Sequence, residues 1–112
     1  MQVLMVKYSE EPKDGVMVRK DAVGSSEEIE LAFHLAQWSF RKKKNIAKNL
    51  NYEFLLWLSG TRDIKNAIKK TAPQKGDECL LIDFSGKEKG KKTELRKKAD
   101  PLRLERISLS RI

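Results

Sequence analysis

Apolar positions along this chain follow two different periods, and the change from one to the other marks out the elements. Residues 2–8 form a short aliphatic run that stops at Ser9, Glu10, Glu11 and Pro12, as a strand stops. Asp14 and Gly15 give a turn signal, Val16, Met17 and Val18 follow with strand-like content, and the two runs together predict a β-hairpin. At Ser25 the period becomes helical. Ser25 and Glu28 have the spacing of a capping box, with acidic residues in the first turn. Ile29, Ala32, Phe33, Ala36 and Phe40 then share one face, with Glu30, His34, Gln37 and Arg41 on the other.

A second helix is predicted from near Asn49 or Asn51 to Gly60, where glycine can take the left-handed conformation that ends helices. Tyr52, Leu55, Leu56 and Trp57 cover most of it and call for burial. Asp63 is the N-cap of a third helix running to about Thr71, with Ile64, Ala67 and Ile68 as its apolar stripe. Pro73 and Gly76 end it, and residues 79–84 read as a buried strand. From 85 to about 100 a dense lysine series with few apolar residues predicts a mobile basic loop, closed by Asp100 and Pro101. Leu102, Leu104, Ile107, Leu109 and Ile112 fit neither period cleanly and are read as a last strand. No internal repeat is present. This order predicts an α+β fold: a single two-layer domain over residues 1–112, with three or more helices packed on a small, mainly antiparallel sheet.

Length and composition permit one modest core. A chain of 112 residues hides about two-thirds of the surface that its unfolded form exposes. Charged residues make up 36% of it, a load that would also suit a thermophile's surface, solubility or heat tolerance. The net charge of +8 is more pointed, because an ion-pair surface balances its signs and this one does not. An anionic partner is favoured, with nucleic acid ahead of membrane. The single cysteine, Cys79, sits in an apolar run, is read as core, and suits a reducing cytoplasm. Val3, Leu4, Met5 and Val6 are too short a run for a signal peptide, and no apolar run approaches the ~20 residues of a membrane span.

Catalytic chemistry finds little to work with. His34 is the only histidine and lies on the polar face of its helix; one Cys and one His exclude CxxC and HExxH metal spacings. Gly86, Gly90, Lys91, Lys92 and Thr93 resemble a phosphate-binding loop only superficially, since the glycines are one residue too close and the lysine is doubled. Glu53, Asp63 and Asp83 are explained as a helix residue, a cap and a strand residue. Trp38 and Trp57 are read as core or interface aromatics rather than platforms for bases. No catalytic residue, metal, cofactor or small-molecule substrate is therefore expected.

Positive charge remains, in three places: residues 41–48, 62–70 and 87–98. The first two flank the central helix pair, and a fold that brings those helix ends together would concentrate them on one surface. Lysine and arginine bring affinity for phosphates with little sequence information, whereas a nucleotide end needs stacking, base-edge hydrogen bonds and backbone amides. Ser59, Gly60, Thr61 and Arg62 could supply such groups beside the third helix's N-terminus.

The central run also resembles a known family. Ile46, Ala47, Glu53, Leu55, Ser59, Gly60, Arg62, Ile64, Ala67 and Ile68 match the pattern of the small auxiliary subunit of the KEOPS (EKC) complex, an archaeal and eukaryotic family, over roughly residues 29–84. Asp63 stands where that family usually has glutamine. The resemblance implies a non-catalytic protein that docks on the complex's atypical kinase subunit through exposed apolar helix residues. It further implies binding of tRNA at its 3′ CCA end, in support of threonylcarbamoyladenosine formation by another subunit. The tRNA-binding residues it implies are Lys43, Lys44, Lys48, Ser59, Gly60, Arg62 and Lys65. The lysines would position phosphates, Arg62 would pair with a phosphate or base edge, and the backbone at Ser59 and Gly60 would let a nucleotide approach closely. The alternative is a protein-interaction module without RNA contact, its charge serving solubility and thermostability.

Overall fold

A computed structural model describes residues 1–8, 13–74, 76–88, 91–93, 95 and 97–109. The strand-ending residues Ser9, Glu10, Glu11 and Pro12, the loop glycine Gly90 and the terminal Ile112 lie outside these. Four helices pack on a four-stranded antiparallel sheet, the α+β architecture expected from the sequence. The strands are β1 (Gln2–Lys7), β2 (Gly15–Val18), β3 (Glu78–Asp83) and β4 (Lys91–Lys92), in the spatial order β2-β3-β1-β4. The helices are α1 (Ser26–Arg41), α2 (Leu50–Ser59), α3 (Ile64–Thr71) and α4 (Pro101–Leu109).

The sheet corrects the expected hairpin. β1 and β2 do not pair with each other; β3 lies between them, antiparallel to both, with Leu4 opposite Leu81 and Val18 opposite Leu80. The reason lies in β3 itself, whose Cys79, Leu80, Leu81, Ile82 and Asp83 are all buried, so it takes a central position that a half-polar strand could not occupy. Gly15 fits this arrangement, because a Cβ there would stand 2.4 Å from the Ile82 carbonyl oxygen. Burial pushes the Cys79 thiol pKa up, as suits a core residue.

One face of the sheet meets the helices through Val16, Val18, Leu80 and Ile82, which join Ile29, Ala32, Ala36, Phe54, Leu56, Leu58, Ala67 and Ile107 in the core. Helix boundaries follow local chemistry. The capping box holds as expected: the Glu28 amide donates to Ser25 Oγ at 3.3 Å, while Ser25 Oγ donates to Glu28 Oε2 at 2.8 Å and the Gly24 amide to the same oxygen at 3.1 Å. Asn49 and Asp63 cap α2 and α3 through the amides of Tyr52 and Lys65. Within α3, Ala67 is buried but Ile68 is exposed, so the apolar stripe is narrower than its spacing suggested.

The chain's last described element is a helix, not the expected strand. Asp100 accepts from the Leu102 amide through Oδ1 at 3.0 Å and Pro101 occupies the first helical position, a combination that starts helices. Only Ile107 of α4 is buried, while Leu102 and Leu109 face outward, which is why the apolar spacing fitted no single face. Arg103 ties α4 to α1, its Nε 2.8 Å from Glu28 Oε1, close enough for an ion pair although the N–H is not aimed along a hydrogen-bond axis.

Residues 85–100, expected as a loop, contain the two-residue strand β4 beside β1 and are tethered at both ends. Near its start, Asp83 accepts hydrogen bonds from Gln2 Nε2, the Ser85 amide and hydroxyl, and the Glu88 amide. Burial opposes ionisation of this carboxyl, but the four donors prevail and bring its pKa down to about 2. Near the far end, Lys97 O accepts from the Glu27 amide and the Ala99 amide donates to Glu27 Oε2.

Candidate nucleic-acid interface

The basic residues after α1 are held by a specific helix ending. The Lys43 amide donates to Phe40 O at 3.2 Å and the Lys44 amide to Ser39 O at 2.8 Å, the paired bonds of a Schellman motif, with Lys43 in the left-handed conformation at φ 56°. Downstream, buried Glu53 reaches across from α2. Its Oε1 accepts from the amides of Ile46 and Ala47, both at 3.0 Å, and Asn45 Nδ2 donates to Ala47 O at 2.8 Å. Residues 45–47 are thus pinned to α2, while Lys42, Lys43, Lys44 and Lys48 stay exposed. Glu53 is a structural carboxylate, as expected.

α2 ends the same way. Gly60, at φ 70°, donates to Trp57 O and the Thr61 amide to Leu56 O, both at 3.2 Å. The chain then turns through Thr61 and Arg62 to the Asp63 cap. Ser59 is buried and its hydroxyl donates to Leu56 O at 3.3 Å, so its side chain does not present itself to a ligand. Gly60 is half-buried beneath α4: a Cβ there would stand 3.0 Å from Arg106 Cγ. Arg62 and Lys65 are exposed.

Two of the seven expected residues converge. Lys44, from the end of α1, and Arg62, from beyond the end of α2, line one cleft of about 300 Å³ together with Trp38 and Ile46. The Lys44 ammonium stands 5.6 Å from the Trp38 ring centroid, a cation–π distance. Trp38 and Ile46 are exposed, at 36% and 44% of their surface. The cleft therefore joins an aromatic plane, an aliphatic wall and two cations, groups suited to an unpaired base and its phosphate. Lys48 lines a different cleft, with Gln37, Phe40 and Arg41. Lys43 and Lys65 are exposed and line neither.

The two tryptophans, expected as core or interface aromatics, take different places. Trp57 is core, 3% exposed, its indole Nε1–H donating to Ser39 Oγ at 3.0 Å. Trp38 is an exposed cleft residue. The sequence carried a signal for this, since Trp38 comes nine residues after Ile29 and so lies about 180° around α1 from it, opposite the apolar stripe. Arg106 lies over Gly60, a position that the expected strand over residues 102–112 does not predict.

Among the described residues, no group of three or more His, Cys, Asp and Glu side chains could hold a metal ion. No described helix is long and apolar enough to cross a membrane. No protein-family model matches the chain, and no curated protein matches it.

Proposed function

We propose that this protein is a non-catalytic, tRNA-binding auxiliary subunit of a KEOPS-type complex, which takes the tRNA's 3′ CCA end while a kinase partner and a catalytic subunit act elsewhere. The observation that carries this reading is the cleft in which Trp38, Lys44, Ile46 and Arg62 meet. Stacking on an aromatic face tolerates any base, and flanking cations neutralise the phosphates on either side, the combination that holds single-stranded nucleic acid. The net charge of +8 adds long-range attraction for RNA. The resemblance of residues 46–68 to the KEOPS auxiliary subunits supports the choice of tRNA as the RNA.

The test is a low-salt titration of labelled tRNA, intact and with its CCA end removed, against the wild type and Arg62→Glu. Removal of the end and the charge reversal are each expected to weaken binding at least tenfold, with the variant's circular dichroism unchanged. Equal affinity for both tRNAs and both proteins would leave the chain as a protein-interaction module without an RNA site.

A further inference from the structure

On the other side of α1 from Trp38, two clefts lie side by side along the helix, sharing Asn49 and Leu50 in their lining, and we take them together as one groove. The first, about 460 Å³, has Phe40 and Leu50 as its apolar lining and Arg41 and Lys48 as its cations, with no carboxylate among the described residues that line it. Its neighbour, about 470 Å³, is lined by Phe33 and Phe84, with Lys13 and Asp14 of opposite charge. Phe33 and Phe40 are seven residues apart on one helix face, which sets the two apolar ends of the groove about 10 Å apart.

From this arrangement we infer that the groove docks an acidic segment of a protein partner, carrying two apolar side chains about 10 Å apart. A partner helix provides that separation at i and i+7, seated as an amphipathic helix seats in a groove. Charge complementarity selects the acidic character: Arg41 and Lys48 are exposed cations with no anion opposite them in the first cleft. Phe84 already packs against Phe33, with centroids 4.9 Å apart, and edge-on against Phe54 at 5.1 Å, an apolar wall that suits an aliphatic side chain. Asp14 in the second cleft repels a phosphate backbone. The inference rests on the proposed function only in requiring a protein partner; its residues are separate from the Trp38 cleft.

The probe is a short acidic helical peptide with two leucines seven positions apart, titrated into the isotopically labelled full chain and followed by backbone amide resonances. Saturable shifts at Gln37, Arg41, Lys48 and Leu50 are expected. Replacing both leucines by alanine, or Arg41 and Lys48 together by glutamate, should weaken binding at least fivefold; these two side chains are exposed, so the double variant keeps its fold. The inference is overturned if the peptide leaves those resonances unmoved, if the alanine peptide binds equally well, or if a uridine oligonucleotide shifts the same resonances and displaces the peptide. Failure of the tRNA reading would register separately, at Trp38.

Discussion

α1 and α2 end in the same backbone motif, but with different residues at its left-handed position: Gly60 at φ 70° after α2, and Lys43 at φ 56° after α1. Glycine takes that conformation without steric cost, whereas a lysine there costs roughly 1 kcal/mol. The glycine corner lies beneath Arg106 of α4 and serves packing. The lysine corner lies in the open, followed at once by Lys44 and the cleft it shares with Arg62. The protein thus tolerates strain where an exposed cation results, and avoids it where a helix covers the turn. Backbone strain held at such a place is a common mark of a working surface.

The largest expected effect comes from removing the support of the segment that follows the lysine corner. Glu53→Ala would leave the buried Ala47 amide and the Ile46 amide without their acceptor, and thermal or denaturant unfolding should register a loss of roughly 3 kcal/mol. Breaking the glycine corner should cost less. Gly60→Ala forces alanine to a positive φ and brings its Cβ against the flexible Arg106 side chain, for a loss of about 1–2 kcal/mol in the same assay. Making the corners alike sharpens the comparison, with the smallest effect and the opposite sign: Lys43→Gly should stabilise the fold by about 0.5–1 kcal/mol while weakening tRNA binding and flattening its salt dependence by about one phosphate contact. A Lys43→Gly protein that is stabilised but binds tRNA as before would mean that the strain at this corner serves no RNA contact.

These corners also show what the sequence could and could not disclose. Ser25 with Glu28, Asn49, Gly60 and Asp63 were legible because a cap is local chemistry between residues at most five apart. The sheet order was not, since the choice between pairing β1 with β2 and inserting β3 depends on the burial of a strand about 60 residues further along the chain. At α4, one buried residue and two outward leucines blurred the period, although Asp100 and Pro101 already held a helix start. Site residues divided similarly. Arg62 and Lys44 could be named from charge, but their meeting at Trp38 depends on how α1, α2 and the turn after α2 pack, and residue type alone does not separate Trp38 from Trp57 as core or interface aromatics.

That difference between the tryptophans supplies the most direct measurement. The two indole Nε1–H resonances, assigned by substituting each tryptophan with phenylalanine, are followed as intact tRNA is added to the labelled protein. If a nucleotide end stacks in the cleft, the Trp38 resonance shifts and saturates while that of Trp57, bonded to Ser39 in the core, stays in place. A Trp38 resonance that stays in place at saturating tRNA would contradict the account.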